Sequence, residues 1–280
     1  MKATVVRCGA VVLLLLLIAC AGLPAQWLNY PSPGTPRTRD GKPNLTARAP
    51  RHAGKPDLSG VWQVEPVPGE IEKLLGKVGA DAVPGDDPRT FSKYFFNILA
   101  DFPPDRLPLR PEAVAMMRNR RKDYVPPDER CLPEGIPRAE LLAFPFKIVQ
   151  TPEELVLMYE VDNTRRQVYT DGRKLPVDPN PAWLGYSVGR WDSDTLVVDT
   201  TGFNDEVPID AGNHPHSDQL HIQERFHRID FGHMELQITM DDPKLYTQPV
   251  TFKVRQLLMP DSDILELFCN ENEKDQAHVK

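Results

Sequence analysis

The chain has 280 residues, a formal net charge of −7 and 29 prolines. Its densest basic group, Arg118, Arg120, Arg121 and Lys122, is followed closely by Asp123, Asp128 and Glu129, so nucleic acid is excluded as an expected partner. The length suits one large β domain or two small ones.

The first 25 residues read as an export signal. Lys2 and Arg7 precede an aliphatic run that includes Leu13 to Leu17, and small residues follow at Ala19, Cys20, Ala21 and Gly22. The run is shorter than the ~20 residues of a spanning helix, and no later segment approaches that length. Leu17-Ile18-Ala19-Cys20 resembles the lipobox of bacterial lipoproteins, which implies lipidation of Cys20. Ala19-Cys20-Ala21 and Leu23-Pro24-Ala25 equally suit ordinary cleavage. Alanine after Cys20 implies, by the same resemblance, the outer membrane. The expected location is the periplasm, the outer membrane through a lipid anchor, or the exterior. Membrane contact is expected only through that anchor.

Residues 26–56 read as an extended, Pro-rich arm. Within it Gly41-Lys42-Pro43-Asn44-Leu45-Thr46 is echoed by Gly54-Lys55-Pro56-Asp57-Leu58-Ser59. Two copies are too few for a solenoid, and the echo reads as a local duplication or a repeated docking turn. With a lipid at Cys20, the arm becomes a spacer between membrane and domain. Residues 57–280 read as a single β domain with a helical and loop insertion at about 68–145. Its first strand spans 58–64. Helical spacing follows at 70–78, 91–102 and 111–122, the last opening on Pro111 and Glu112. A Pro-rich loop covers 124–145.

From Phe146 the pattern turns to strands: 146–150, 154–160, 165–170, 185–191, 195–201, 220–229, 233–240, 251–259 and 263–269. Met234, Leu236, Ile238 and Met240 alternate against Glu235, Gln237 and Thr239, and Asp/Gly/Ser/Pro turns separate the runs. Short links predict an antiparallel meander of about nine or ten strands, which avoids bare edges by closing into a barrel. A twisted sandwich is the alternative. Gly60-Val61-Trp62 is similar to the Gly-x-Trp on the first strand of calycins, which implies a lipocalin-like barrel.

Cys131 and Cys269 are the two cysteines beyond the signal. In an oxidising compartment they predict either a disulfide or two free thiols. Neither has a second cysteine nearby, so a zinc site is not expected on them.

The densest polar stretch runs from Thr200-Thr201-Gly202-Phe203-Asn204-Asp205 to His214-Pro215-His216-Ser217. His214 is a candidate general base oriented by Asp205. His214 and His216 with Asp205 or Asp210 are candidate metal ligands, although no third ligand has diagnostic spacing. The bland alternative is that these side chains satisfy backbone groups in an ordered loop. Glu224, in Leu220-x-Ile222-x-Glu224-x-Phe226, alternates onto the apolar face and is expected inside. Arg190, in Tyr186-x-Val188-x-Arg190, is its expected partner. The pair reads as a structural bridge or as the floor of a ligand site, with Trp191 and Asn204 as further ligand contacts. The acidic end, Asn270-Glu271-Asn272-Glu273, reads as a solvated tail. No P-loop, Gly-x-Ser-x-Gly elbow, dinucleotide fingerprint or His-Glu-x-x-His occurs, and no motif names a cofactor.

Gly54-Lys-Pro-Asp-Leu-Ser-Gly-Val-Trp62, Arg130-Cys-Leu-Pro133, Gly189-Arg-Trp191, Thr195-Leu-Val-Val-Asp-Thr-Thr-Gly-Phe-Asn-Asp205, His214-Pro-His-Ser217, Asp230-Phe-Gly-His233 and Cys269-Asn-Glu-Asn-Glu273 together resemble a broad family of exported bacterial proteins of the Acidobacteria type. The resemblance implies export and a shared β fold, and carries no activity. Two functions fit the residues: a barrel that binds a small molecule or surface partner, or an exported acid–base or hydrolytic enzyme using Asn204, Asp205, His214 and His216 with Glu224.

Overall fold

A computed structural model describes residues 30–81, 91–120 and 130–267. The expected signal segment with Cys20, the acidic end and Cys269 lie outside the described residues.

The arm carries a two-residue hairpin, β1 (Arg51–His52) and β2 (Lys55–Pro56), and leads into β3 (Gly60–Val64). Three helices follow: α1 (Glu70–Asp81), α2 (Lys93–Phe96) and α3 (Pro111–Arg120). A 3-10 turn at Arg138–Glu140 precedes β4 (Phe146–Gln150) and β5 (Glu154–Tyr159). After another at Val161–Asn163 come β6 (Arg165–Tyr169), β7 (Tyr186–Asp192), β8 (Thr195–Thr201), β9 (His221–Arg228), β10 (His233–Asp241) and β11 (Val250–Leu258).

β3 to β11 close into a barrel in chain order, with β11 returning to β3. The expected closure is therefore found, but the expected antiparallel pairing is not universal: β6 and β7 run parallel. Parity explains this. A ring whose neighbours are all antiparallel needs an even number of strands, and nine strands force a parallel pair. That pair requires a crossover, which residues 170–185 supply. The strand expected at 263–269 is absent over 263–267, where the chain is irregular.

Alternation sets the walls. On β10, Met234, Leu236, Ile238 and Met240 are buried and Glu235, Gln237 and Thr239 are not. On the outer face, Thr239 Oγ1 lies 2.9 Å from Thr251 Oγ1 and Lys253 Nζ lies 2.8 Å from Glu235 Oε1, cross-strand pairs that fix register. Trp62, Phe146, Tyr159 and Phe226 are fully buried and fill the lumen with their neighbours. Each such apolar side chain contributes roughly 1.5–3 kcal/mol by leaving water.

The helix expected over 91–102 shrinks to four residues. Ser92 caps it, and Asn97 is extended. The amide of Ile98 bonds to Asp210 Oδ2 at 2.6 Å and that of Leu99 to Asn97 Oδ1 at 2.9 Å. Side chains thus take the donors that a longer helix would use.

The described part of the arm lies against the barrel. Each copy of Gly-Lys-Pro makes a tight turn with its glycine at positive φ, 82° at Gly41 and 80° at Gly54. Each turn holds an arginine that reaches a barrel turn: Arg37 to Asp261 at 2.6 Å, and Arg51 to Asp194 through two bonds of 2.9 Å. Each of these arginines also bonds its own turn's carbonyl, Gly41 O or Gly54 O. The echo is therefore a repeated docking turn. Where the arm enters β3, the Arg228 guanidinium stacks 4.9 Å from the Trp62 ring and donates to the carbonyls of Asp57, Asp230 and Phe231. Burial lowers its pKa to about 10, and no carboxylate forms a salt bridge with it among the described residues.

Candidate functional site

The 203–217 loop packs on the helical end of the barrel. Asp210 is fully buried and organises it. Its carboxylate accepts from Ile98 N at 2.6 Å and from His214 N at 3.0 Å, and meets His214 Nδ1 at 2.6 Å. In the tautomer that donates Nδ1–H to this carboxylate, Nε2 is left as an acceptor. The ring borders a cavity of about 360 Å³ with Leu74 and Leu75 of α1, Phe96, Met117 of α3 and Gly212. The orienting acid is thus Asp210 and not Asp205, which is exposed on the same loop. His216 turns elsewhere: its Nδ1 is 3.2 Å from Ser217 O and its ring is edge-on to Phe203 at 6.1 Å. Asn204 Oδ1 faces Glu206 N at 3.4 Å, an Asx-type loop contact. Among the described residues, no three of His, Cys, Asp and Glu gather as metal ligands.

Glu224 points into the barrel, as its alternation predicts, and is 0% exposed. Its partner is Arg166 of β6 and not Arg190. The inner face of β7 is carried by small residues, with Ser187 buried, while Arg190 is exposed and bonds Asp199 at 2.5 Å on the outside. There Asp199 also accepts from Gln223 at 2.9 Å and sits 3.0 Å from His221 Nε2. These contacts, His221 first, hold its carboxyl well below the usual range. Trp191 is half-buried under Lys55, whose Nζ is 5.9 Å from the ring centroid.

Arg166 uses all of its N–H donors. Nε bonds Ser187 Oγ at 2.9 Å. Nη1 bonds Glu140 Oε1 at 3.2 Å and Glu224 Oε1 at 3.0 Å. Nη2 bonds Thr200 Oγ1 at 2.8 Å and, closely, Glu224 Oε2. Tyr159 donates to Glu140 Oε1 at 2.7 Å. One guanidinium thus ties β6 to β7, β8, β9 and the Arg138–Glu140 turn. Two buried carboxyls face one cation. Burial, then the charge of Glu224, push the Glu140 carboxyl up to about 8. A proton on Glu140 leaves one negative charge against one positive. Among the described residues Gln256 Oε1 has no hydrogen-bond partner, and Gln256 Nε2 donates to Glu140 O at 2.9 Å.

Outside this network the wall opens. β6 and β7 share two residue pairs, Val168 with Ser187 and Tyr169 with Val188. Before them the strands part, and residues 182–185 turn toward β8, where Ala182 N bonds Gly202 O at 2.9 Å. Gly185 makes this possible: its φ is 64°, and a Cβ there would meet Thr200 Cγ2 and Thr201 O at 2.8 Å. The gap is a cavity of about 450 Å³ bordered by Thr164, Arg165, Tyr169, Trp183 and Tyr186, with Arg166 and Ser187 also in its lining. Tyr169 and Tyr186 rings lie 5.5 Å apart. The Arg173 guanidinium covers Tyr169 at 3.7 Å and is held by Asp171. A larger cavity of about 610 Å³ separates arm and barrel. In its lining Lys147 pairs with Asp263 and Asp261 with Arg37 of the arm, while Arg228 is spent on backbone carbonyls.

Sequence reasoning missed Arg166, Glu140 and the 183–186 segment. The signal for Arg166 was present: it alternates with Val168, as Glu224 does with Ile222 and Phe226. Cys131 is disulfide-bonded. The other three cysteines lie outside the described residues, so pairing with Cys269 stays an expectation. No protein-family model matches the chain. No curated protein and no solved structure matches it either.

Proposed function

We propose that this protein is an exported β-barrel that binds a small molecule in its wall, at the β6–β7 seam, and not in its lumen. The seam cavity carries the reading. It is concave, has aromatic and cationic groups converging on it, and is built on rigid strands. The filled lumen argues against the usual route into a barrel. The acid–base candidates also fail to converge: His214 is held by Asp210 at the helical end, Asp205 is exposed, and Glu224 is bonded inside to Arg166. Native mass spectrometry of the mature protein, purified without denaturation, tests this. The expected result is a mass excess that denaturation removes, and bare polypeptide mass counts against it. The same preparation reads the N-terminus, separating lipidated Cys20 from plain cleavage, and resemblance to exported bacterial proteins supports either form.

A second reading is favoured by one observation. The Asp210–His214 contact orients an imidazole whose Nε2 is free to accept a proton beside a cavity, the arrangement of a general base. In this reading the protein is an exported hydrolytic or acid–base enzyme. Turnover of nitrophenyl esters, abolished in His214→Asn and retained in His216→Asn, is its expected signature. Equal turnover in the two variants removes it.

A further inference from the structure

The seam cavity is rich in unspent donors and poor in acceptors. The side chains of Arg165, Thr164 and Trp183 make no hydrogen bond or ion pair among the described residues. The neighbouring amides are engaged elsewhere: Asn163 Nδ2 on Leu267 O at 2.6 Å, and Gln167 Nε2 on Glu154 Oε2 at 3.3 Å. No aspartate or glutamate belongs to the lining. On a chain of net charge −7, an acid-free lining with an unpaired guanidinium reverses the local sign. A ligand that satisfies this edge accepts hydrogen bonds and carries negative charge. The ring faces add a second demand. Tyr169 is already engaged by Tyr186 and Arg173, whereas Trp183, half-buried in the lining, makes no aromatic or cation–π contact among the described residues.

Resting on the binding reading above, we infer that the seam cavity takes a small aromatic carboxylate, its ring against Trp183 and its carboxylate on Arg165. Fluorine NMR titration of the mature protein tests this with 4-fluorobenzoate and its uncharged counterpart 4-fluorobenzyl alcohol. The acid is expected to bind about tenfold more tightly than the alcohol, a ratio that shrinks with added salt. Arg165→Gln is expected to weaken the acid about tenfold and leave the alcohol unchanged, and Trp183→Ala to weaken both. Arg39→Ala, at an exposed arginine outside the cavity, is expected to change neither. Equal affinity for acid and alcohol, or identical behaviour of Arg165→Gln and Arg39→Ala, overturns the inference. If neither probe binds while native mass spectrometry still finds a retained molecule, the carboxylate assignment fails and the binding reading stands. If both are negative, both fail.

Discussion

Two walls of this barrel are built on opposite principles. β9, β10 and β11 are zipped by eight residue pairs on each side of β10, and the inner face of β10 is wholly apolar. β6 and β7 share two pairs, and their inner faces carry Arg166 and Ser187. Where the backbone ladder is long, side chains need only fill space. Where it is short, a guanidinium does the stitching, and the Arg166 Nε–Ser187 Oγ bond crosses the seam directly. The weak stretch of ladder is also where the wall opens to a cavity. A barrel with an odd strand count must place its parallel pair somewhere, and here that place coincides with the candidate site.

The comparison breaks first at Arg166. Arg166→Met leaves two buried carboxyls without a cation and is expected to cost about 3–5 kcal/mol in urea unfolding, with amide exchange rising first in β6 and β7. An unchanged midpoint would show that the ladder alone holds the seam. The next effect is a pH dependence. Glu140 has a folded pKa raised from its ordinary value near 4.5 to about 8. The folded state therefore binds more protons than the unfolded one between those values, and stability falls as pH rises through that window. Glu140→Gln is expected to flatten this slope, and a variant as steep as wild type would locate the proton elsewhere. On the zipped wall, Ile238→Val removes one buried methyl and is expected to cost about 0.5–1.5 kcal/mol without altering ligand affinity at the seam. A loss of affinity there would mean that the two walls are coupled. The smallest effect belongs to the arm. Arg51→Ala is expected to leave the unfolding midpoint unmoved while protease cuts the arm sooner, and equal cutting rates would show that Arg51 does not hold it.

Much of the fold was legible because alternation is local. Glu224 stood between Ile222 and Phe226, and the barrel places all three inside. The same logic failed on β7 because Tyr186 and Val188 look like a core face, while the true inner face is small: Ser187 and Gly189 leave room for the long Arg166 and for Leu196, whose Cδ1 lies 3.2 Å from the site of a Gly189 Cβ. The exchange of Asp210 for Asp205 has a similar cause. Both acids share one loop, and burial against Ile98, which is distant in sequence, selects between them. The seam was invisible, because strand parity and closure belong to the whole ring and leave no mark on a short window.

The duplicated Gly-Lys-Pro turn has a kinetic consequence. Each arginine clasp on the arm is exposed and weak alone, but the two sit on one short strand of chain. When either lets go, the other keeps it at high effective concentration beside its own aspartate, so it re-forms before the arm can drift away. Between them, Phe231 N and Gly232 N bond Ala47 O and Leu45 O at 2.7 Å, so release requires all of these contacts to open together. The arm therefore behaves like a multivalent ligand of its own barrel, with a residence time far longer than any one contact would give by itself.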